Sequence, residues 1–548
     1  MRNILPLFLM SCLAAGSPGL TEEDSGNSQI RQWVQQLGDE SFLVRQRAET
    51  HLIRIGIPAY PELQRVKQKY DVEVSRRAEY ILSKIEQDLL DQEDTEVAFW
   101  LLNYMTASNR AYKARMIWLF ADPTLDFPKG EGLQTLCRLV RFEENPALRL
   151  ESAKTLIASP PVQPILCQKW YRHIRDTFHE PGDDALLQCL AHYAKLWCDL
   201  DDSDTKTTSD FQEQVRHVSA ETMRLLERPE NTIQRGSGID ILLHYAVAEL
   251  QERAGLTEDR NKTVSSALAI EPQPMQTPEP IQQIGLTDGL PLNEHYYVGQ
   301  CLKQRFHLHW ASAHFRRAMA TDDLSLHLVA SKEVIDVTAN YFADYASAAA
   351  YWDKHIEVLN SSEYKAQYDS TESLARAQKQ RIYCLAAKAA EDGNWEQVRD
   401  CTMQAWSVPN TTIEISDIDM VILAYRLGKQ QSNGGEEFRN KFDQVLKQLW
   451  RNISGDYDQG PPEVVYNTAA WLLANTEGDY QSALTLVEAA LKISPDDAIV
   501  MDTLAHVYFL GGRIEEAIRT QEQVVRMAPE AVIFCKALER FKQTQCPP

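Results

Sequence analysis

Near the C-terminus one spacing governs the chain. Gly478, Tyr480, Ala483, Ala490 and Pro495 are followed by Gly512, Ile514, Ala517, Val524 and Pro529, each pair 34 residues apart. That period is the length of a helix–turn–helix unit. Glycine at the turn lets two antiparallel helices meet closely. Ala483 and Ala517 permit close helix approach, Tyr480 fills the hairpin, and Pro495 and Pro529 end each unit. The second copy adds Leu504, Ala505 and Tyr508 on its first helix. The first copy carries one extra residue before Gly478, which blurs its first-helix register. Such a unit cannot bury its apolar face alone, so neighbours must stack on it.

Weaker echoes lie upstream. Gly393, Trp395, Val398 and Ala405 follow the same spacing, and Tyr345, Ala348, Trp352 and then Ala311, Phe315, Ala318 repeat it more faintly. At the other end, Val44-Arg45-Gln46-Arg47-Ala48-Glu49 returns as Val74-Ser75-Arg76-Arg77-Ala78-Glu79, thirty residues on. Within each copy the apolar positions step by four, from Val44 through Ala48 to Leu52 and from Val74 through Ala78 to Leu82. That step is one stripe on a helix. Gly56, Pro58 and Pro61 punctuate the two copies. A third echo runs from Asn145 through Ser152 and Ala153 to Leu156. Residues 96–256 also read as helices, with few alternating β-branched runs. Between 257 and 294 the text turns rich in Pro, Gln, Thr and Ser, which predicts an extended linker between two helical halves, with a loop draped over the solenoid as the alternative. From Glu530 to Phe541, the apolar face of Val532, Phe534 or Cys535, Leu538 and Phe541 predicts a helix that caps the last repeat.

Composition narrows the function classes. Lys and Arg number 56 against 78 Asp and Glu, a net charge of −22. That field repels phosphate, which argues against nucleic acid as partner. The basic run from Arg45 to Arg77 is nearly balanced by Glu49, Glu62, Asp71, Glu73 and Glu79, which reads as a salt-bridged helix surface. At the N-terminus, Arg2, the apolar run Ile4–Met10 and the small residues after it read as an export signal over residues 1–16. Two processing routes fit. Leu9-Met10-Ser11-Cys12 resembles a bacterial lipobox, in which Cys12 is lipidated; Ala14-Ala15-Gly16 instead suits cleavage before Ser17. Either route implies the periplasm or cell envelope, with a membrane association only through a lipid anchor.

The residues quoted from the two termini carry two resemblances. The 34-residue copies resemble tetratricopeptide (TPR) repeats of exported bacterial proteins, firmly over 464–531 and in degenerate form over 295–463. Leu37-Gly38-Asp39-Glu40-Ser41-Phe42 running into Val44, Arg45 and Ala48 resembles HEAT-like repeats over 25–95, with further helical repeats to 256. Together they imply an all-α fold: an α-solenoid of helical hairpins, HEAT-like in its N-terminal half and TPR in its C-terminal half, capped by 532–548. In TPR pairs the first helix of each hairpin lines the concave face. By that resemblance Ile499, Asp502, His506 and Phe509 line a peptide groove, joined by Asn467, Thr468 and Trp471. The alternative for Trp471 and Phe509 is plain packing. The Lys/Asn clamp that some TPR domains use for acidic tails is not evident, which points to apolar or basic partners.

Catalytic chemistry finds no motif. Phosphate-cradling loops, the Gly-x-Ser-x-Gly elbow and His-Glu-x-x-His are all missing from the sequence. His307, His309 and His314 lack a carboxylate at ligand spacing, and Asp199–Asp204 lacks the pattern of a calcium loop. The sequence therefore predicts no catalytic residue, no cofactor and no metal. Ten cysteines without Cys-x-x-Cys read as buried thiols, with a Cys384–Cys401 bridge as the lesser alternative. The expected function is non-catalytic binding of other proteins or peptides through solenoid surfaces. Two alternatives stand beside it: an enzyme with an unrecognised site between repeats, and a passive spacer.

Overall fold

The computed structural model describes residues 25–545 except 57–58, 68–71, 93–94, 108–111, 114–115, 118–119, 121–130, 144, 159–163, 179–183, 202–208, 228–237, 272–292, 368–370, 410–412, 414–416, 431–434, 456–461, 477 and 496. Among the described residues there is no strand. The fold is all-α, built of helical hairpins that pack on their neighbours in chain order. Two compact units form. One holds Met1–Ser159, His173–Ala191 and Pro278–Leu286; the other holds Pro160–Arg172, His192–Thr277 and Thr287–Pro548.

In the first unit, α1 (Ser25–Gln36), α2 (Phe42–Ile55), α3 (Tyr60–Lys67) and α4 (Val72–Gln92) form two hairpins. The stripe seen in the sequence is their seam: Ala48, Leu52, Val74, Ala78 and Leu82 are buried together with Leu37, Tyr60 and Leu63. The Arg77 guanidinium meets Glu49 at 3.0 Å and Glu73 at 2.9 Å, so the basic run is a surface of ion pairs. The unit continues through α5 (Thr95–Thr106), α6 (Glu131–Phe142) and α7 (Pro146–Ala158). Ser152, Ala153 and Leu156 of the third echo are buried, and the Asn145 side chain accepts from the Leu148 amide at the start of α7.

After α8 (Pro164–Thr177) and α9 (Ala185–Asp201), the second unit runs through α10 (Ser209–Leu226), α11 (Gly238–Arg253) and α12 (Thr257–Ala269). Helix α12 corrects one expectation. Residues 257–269 are helical and pack on α11, so the linker predicted for 257–294 does not begin at 257; residues 272–292 lie outside the described residues. The unit boundary differs as well, since 192–277 belong with the C-terminal residues. The reason is polar. Helix α11 is bound to α13 (Glu294–Gln304) and α14 (Leu308–Met319) by buried groups that periodicity does not reveal: Tyr245 Oη lies 2.7 Å from His314 Nε2, and Arg305, just after α13, pairs with Glu249.

Next come α15 (Leu324–Asp336), which runs into a π-turn at Val337–Tyr341, then α16 (Tyr345–Asn360), α17 (Ser362–Gln367), α18 (Thr371–Glu391) and α19 (Trp395–Ala405). The chain ends with α20 (Ile418–Gln430), α21 (Gly435–Gly455), α22 (Pro462–Asn475), α23 (Tyr480–Ile493), α24 (Ala498–Leu510), α25 (Ile514–Met527) and α26 (Val532–Gln545). The 34-residue period appears directly in these boundaries: α25 starts and ends 34 residues after α23, and α26 starts 34 after α24. Asp479 and Asp497 cap α23 and α24 by accepting from the Ser482 and Ile499 amides. Ala483, Ala490, Ala517 and Val524 are fully buried, as close-packed hairpins require. The two equivalent glycines serve different ends. A Cβ on Gly478 would lie 2.4 Å from the Leu473 side chain, so Gly478 permits a close approach. Gly512 has φ +72° and open space around it, so there it is the left-handed backbone that favours glycine.

Candidate functional site

Helices α22, α24 and α26 are successive first helices of the C-terminal array. Trp471, His506 and Arg540 occupy the same register on them, spaced by 35 and then 34 residues. Stacking therefore sets these side chains in a row. The Trp471 and His506 rings lie 4.6 Å apart, and the His506 and Phe541 rings 5.2 Å apart. Arg540 Nη2 lies 3.2 Å from His506 Nδ1. Burial, reinforced by the Arg540 and Arg426 charges, holds His506 well below the usual histidine range. The imidazole is therefore neutral, and its Nδ1 accepts from the guanidinium. Phe509 stacks on Phe541 at 4.7 Å, and Arg540 lies over both rings at 5.3 and 5.1 Å.

The row corrects the groove expected from the sequence. Asp502 and His506 are only 8% and 5% exposed, and Phe509 is half-buried. They do not line an open surface, because α26 lies against the first-helix face of the last repeat as a further repeat would. Asp502 turns inward, where its Oδ1 accepts from Gln521 Nε2 at 2.6 Å. Gln521 also donates to the Phe534 carbonyl, tying α24, α25 and α26 together. Burial pushes the Asp502 carboxyl up to about 7, against the opposing pull of Gln521 and Arg540. Ile499 alone of the four is exposed, at 43%. Asn467 and Thr468 are half-buried on α22, and Asn467 Oδ1 is sealed from water without a hydrogen-bond partner. Trp471 is half-buried, and its indole N–H donates to Asp419 Oδ1 at 3.1 Å.

Helix α20 completes the cluster with two residues that sequence reasoning missed. Asp419 is half-buried, and desolvation raises its carboxyl above the usual range; the Trp471 bond and the Arg426 charge oppose that rise. Arg426 is exposed and donates through Nη2 to Asn475 Oδ1 at 3.0 Å. Arg540 was also missed, although its signal was present: counting one period beyond His506 lands on it. No such count reaches Arg426, since α20 precedes the sharp repeats.

Other candidates from the sequence fall elsewhere. His307 Nε2 lies 3.1 Å from Glu249 Oε1 and its ring stacks on Trp310, whereas His314 pairs with Tyr245 and, at 2.8 Å, with His295. His309 stacks on Phe342. Among the described residues no three His, Cys, Asp or Glu side chains gather as metal ligands. Cys384 and Cys401 are both free and buried, so the bridge weighed from the sequence is not made. Cys12 and the export signal lie outside the described residues. Among the described residues no helix is long and apolar enough to cross a membrane.

The fold and the repeating register define a helical-repeat protein. Residues 474–533, the stretch holding α23 to α25, match the family model described as a tetratricopeptide repeat. No curated protein matches the sequence. Among solved structures, the chain is similar to the human IFIT1 dimer with PPP-AAAA at 14% identity, covering 93% of this chain and 96% of that one at a TM-score of 0.20. It is similar to the APC/C hetero-tetramer Cut9-Hcn1 at 11% identity, covering 80% and 98%, also at 0.20. A circular tandem repeat protein of novel topology aligns at 12% identity and 0.12. Scores this low leave the paths of the helices unmatched, and nothing about this chain follows from what those proteins hold.

Proposed function

We propose that the chain is a non-catalytic scaffold that binds other proteins or peptides through the helical-repeat surfaces of its C-terminal array. One observation supports the reading: the tetratricopeptide match covers residues 474–533, the hairpins α23 to α25, whose first helix α24 carries His506. Stacked hairpins offer an extended surface suited to a chain segment rather than a closed pocket suited to a small substrate. The place of action we propose is the cell envelope, reached through the N-terminal signal and held there by a lipid on Cys12 or left soluble after cleavage before Ser17.

Affinity capture from membrane and soluble envelope fractions tests this reading. Wild type is compared with Trp471→Ala, which removes the ring at the α22 end of the row, and with Cys12→Ala. The expected result is a defined set of partners lost from Trp471→Ala while its melting temperature stays within a few degrees of wild type. Retention of every partner would remove the C-terminal face from consideration. A chain found wholly in the cytoplasm would overturn the envelope assignment.

A further inference from the structure

The C-terminal helix makes two sets of contacts. One set seats α26 on its own repeat: Phe541 is fully buried and stacks on Phe509, and the Phe534 carbonyl accepts from Gln521. The other set reaches far back along the chain. Glu530, just before α26, accepts through Oε2 from the His309 amide at 2.9 Å, across 221 residues. Lys536 donates to Glu391 Oε1 at 2.7 Å, across 145 residues. The Phe534 and Tyr341 rings meet edge to face at 6.5 Å, and α26 packs on the π-turn at Val337–Tyr341. Hairpins stacked only on their sequence neighbours make no such contacts. Here the last helix is tied back to α14, the π-turn and the end of α18.

The receiving segment carries two local deficits. Helix α14 opens on His307, whose side chain makes no capping hydrogen bond. The first amides of a helix need an acceptor, and a carboxylate also suits the positive end of the helix dipole. Glu530 supplies that carboxylate from the far end of the array. The second deficit is conformational. Phe306 (φ 59°) and Ala343 (φ 51°) are the non-glycine residues with left-handed backbone among the described residues. They flank the seam: the Phe306 ring lies 6.2 Å from Tyr341, and His309 stacks on Phe342 at 4.5 Å. Such backbone, like a π-turn, persists where packing imposes it and is concentrated at functional and moving segments. The tie at Lys536 is of the weak kind. The Lys536 and Glu391 side chains are 51% and 35% exposed, and an exposed ion pair is weak and screened by salt. The seat of α26 on α24 and α25 is apolar, so salt does not screen it. The seam can therefore part while the cap stays in place.

We propose that this seam is a reversible latch that closes the C-terminal array on itself. Closed, it holds α14, the π-turn and the end of α18 against the last helix. Open, it frees the π-turn and uncaps α14, with α26 still seated on its repeat. Opening also withdraws the Phe534 edge from Tyr341, so the apolar surface at the π-turn is offered only in the open state. The latch stands apart from the scaffold reading, because it needs no partner to operate: salt or the loss of one charge is enough to open it.

Hydrogen exchange of the full chain, read by mass spectrometry, tests the latch. Lys536→Glu sets two carboxylates face to face and is expected to speed exchange over residues 337–344 about tenfold, with α24 and α25 unchanged. Glu391→Lys combined with Lys536→Glu rebuilds the opposite pair and is expected to restore slow exchange. Glu530→Ala removes the acceptor of the His309 amide and is expected to speed exchange at the start of α14 and over 337–344. In wild type, raising the salt from low to about 1 M is expected to act like Lys536→Glu, which needs no variant to fold. Wild-type exchange over 337–344 in both Lys536→Glu and Glu530→Ala would overturn the proposal. So would faster exchange that spreads equally to α24 and α25, because α26 would then be a plain cap that leaves as a whole. Failure of the double swap to slow exchange again would remove the ion pair as the tie, and the salt-operated latch with it.

Discussion

Two arginines of the same unit meet opposite fates. Arg305 is buried against Glu249, its Nη2 lies 3.2 Å from Tyr193 Oη, and Tyr193 in turn meets Tyr171 at 3.1 Å. Burial alone would lower such a guanidinium, but Glu249 and the tyrosines hold it well above its ordinary range. Arg540 receives no such neutralisation and is pushed down to about 10 by burial and by Arg426. The first arrangement is closed: every charge has its counter-charge, and the cluster ties α11 to the end of α13. In the second, the Arg540 guanidinium rests on the neutral His506 and over the rings of Phe509 and Phe541, with no carboxylate at ion-pair distance among the described residues. A guanidinium with its counter-charge and one held by neutral groups are expected to respond differently when they are removed.

The sharpest way to break this comparison is to open the closed cluster. Glu249→Gln leaves Arg305 buried without its counter-ion and is expected to cost about 3–5 kcal/mol of stability. Chemical denaturation reads this directly, and a cost below about 1 kcal/mol would mean that Glu249 does not hold Arg305. Next in size is Asp502→Asn. Asp502 has a folded-state pKa of about 7, raised by burial above its unfolded value. Between pH 4 and 7 the folded state therefore keeps a proton that the unfolded state has released, so this group lowers stability as pH rises through that window. Asn keeps the acceptor for Gln521 without the charge. The variant is expected to be more stable than wild type at pH 8, by on the order of 2–4 kcal/mol, and the difference is expected to vanish at pH 4. Melts of both proteins across that range give the sign.

Smaller effects sharpen the contrast. Tyr193→Phe removes one hydroxyl shared by Arg305, Glu249 and Tyr171, and is expected to cost about 1 kcal/mol. Arg540→Gln is expected to change stability least, within about 0.5 kcal/mol or slightly upward, because losing its ring contacts offsets the relief of an unpaired charge. If Arg540→Gln instead destabilised as strongly as Glu249→Gln, Arg540 would be a structural ion like Arg305 and the contrast would collapse.

Much of the C-terminal architecture was legible. Gly478 and Gly512, the alanines after them and the closing prolines mark hairpins whose helices start and end at matching places. The Ala48–Leu52 and Ala78–Leu82 stripes likewise mark a buried seam. These features were readable because they are local and periodic: a helix face follows from spacing alone. The candidate site was legible only in part. Trp471, His506 and Phe509 come together through ring contacts, and the expected open groove is covered, because the helix that caps the repeat packs over the same face. Arg426, Asp419 and Asn475 reach the row from α20 and from the end of α22, where no sharp period fixes the register.

By itself, then, the sequence determined the elements: all-α hairpins and the 34-residue register of the last repeats. Tertiary structure alone decided which charges are paired. Ion pairing depends on distances between helices far apart in the chain, as with Glu249 and Arg305, and on how much water each burial removes. Neither quantity is written in the spacing of residues along one helix.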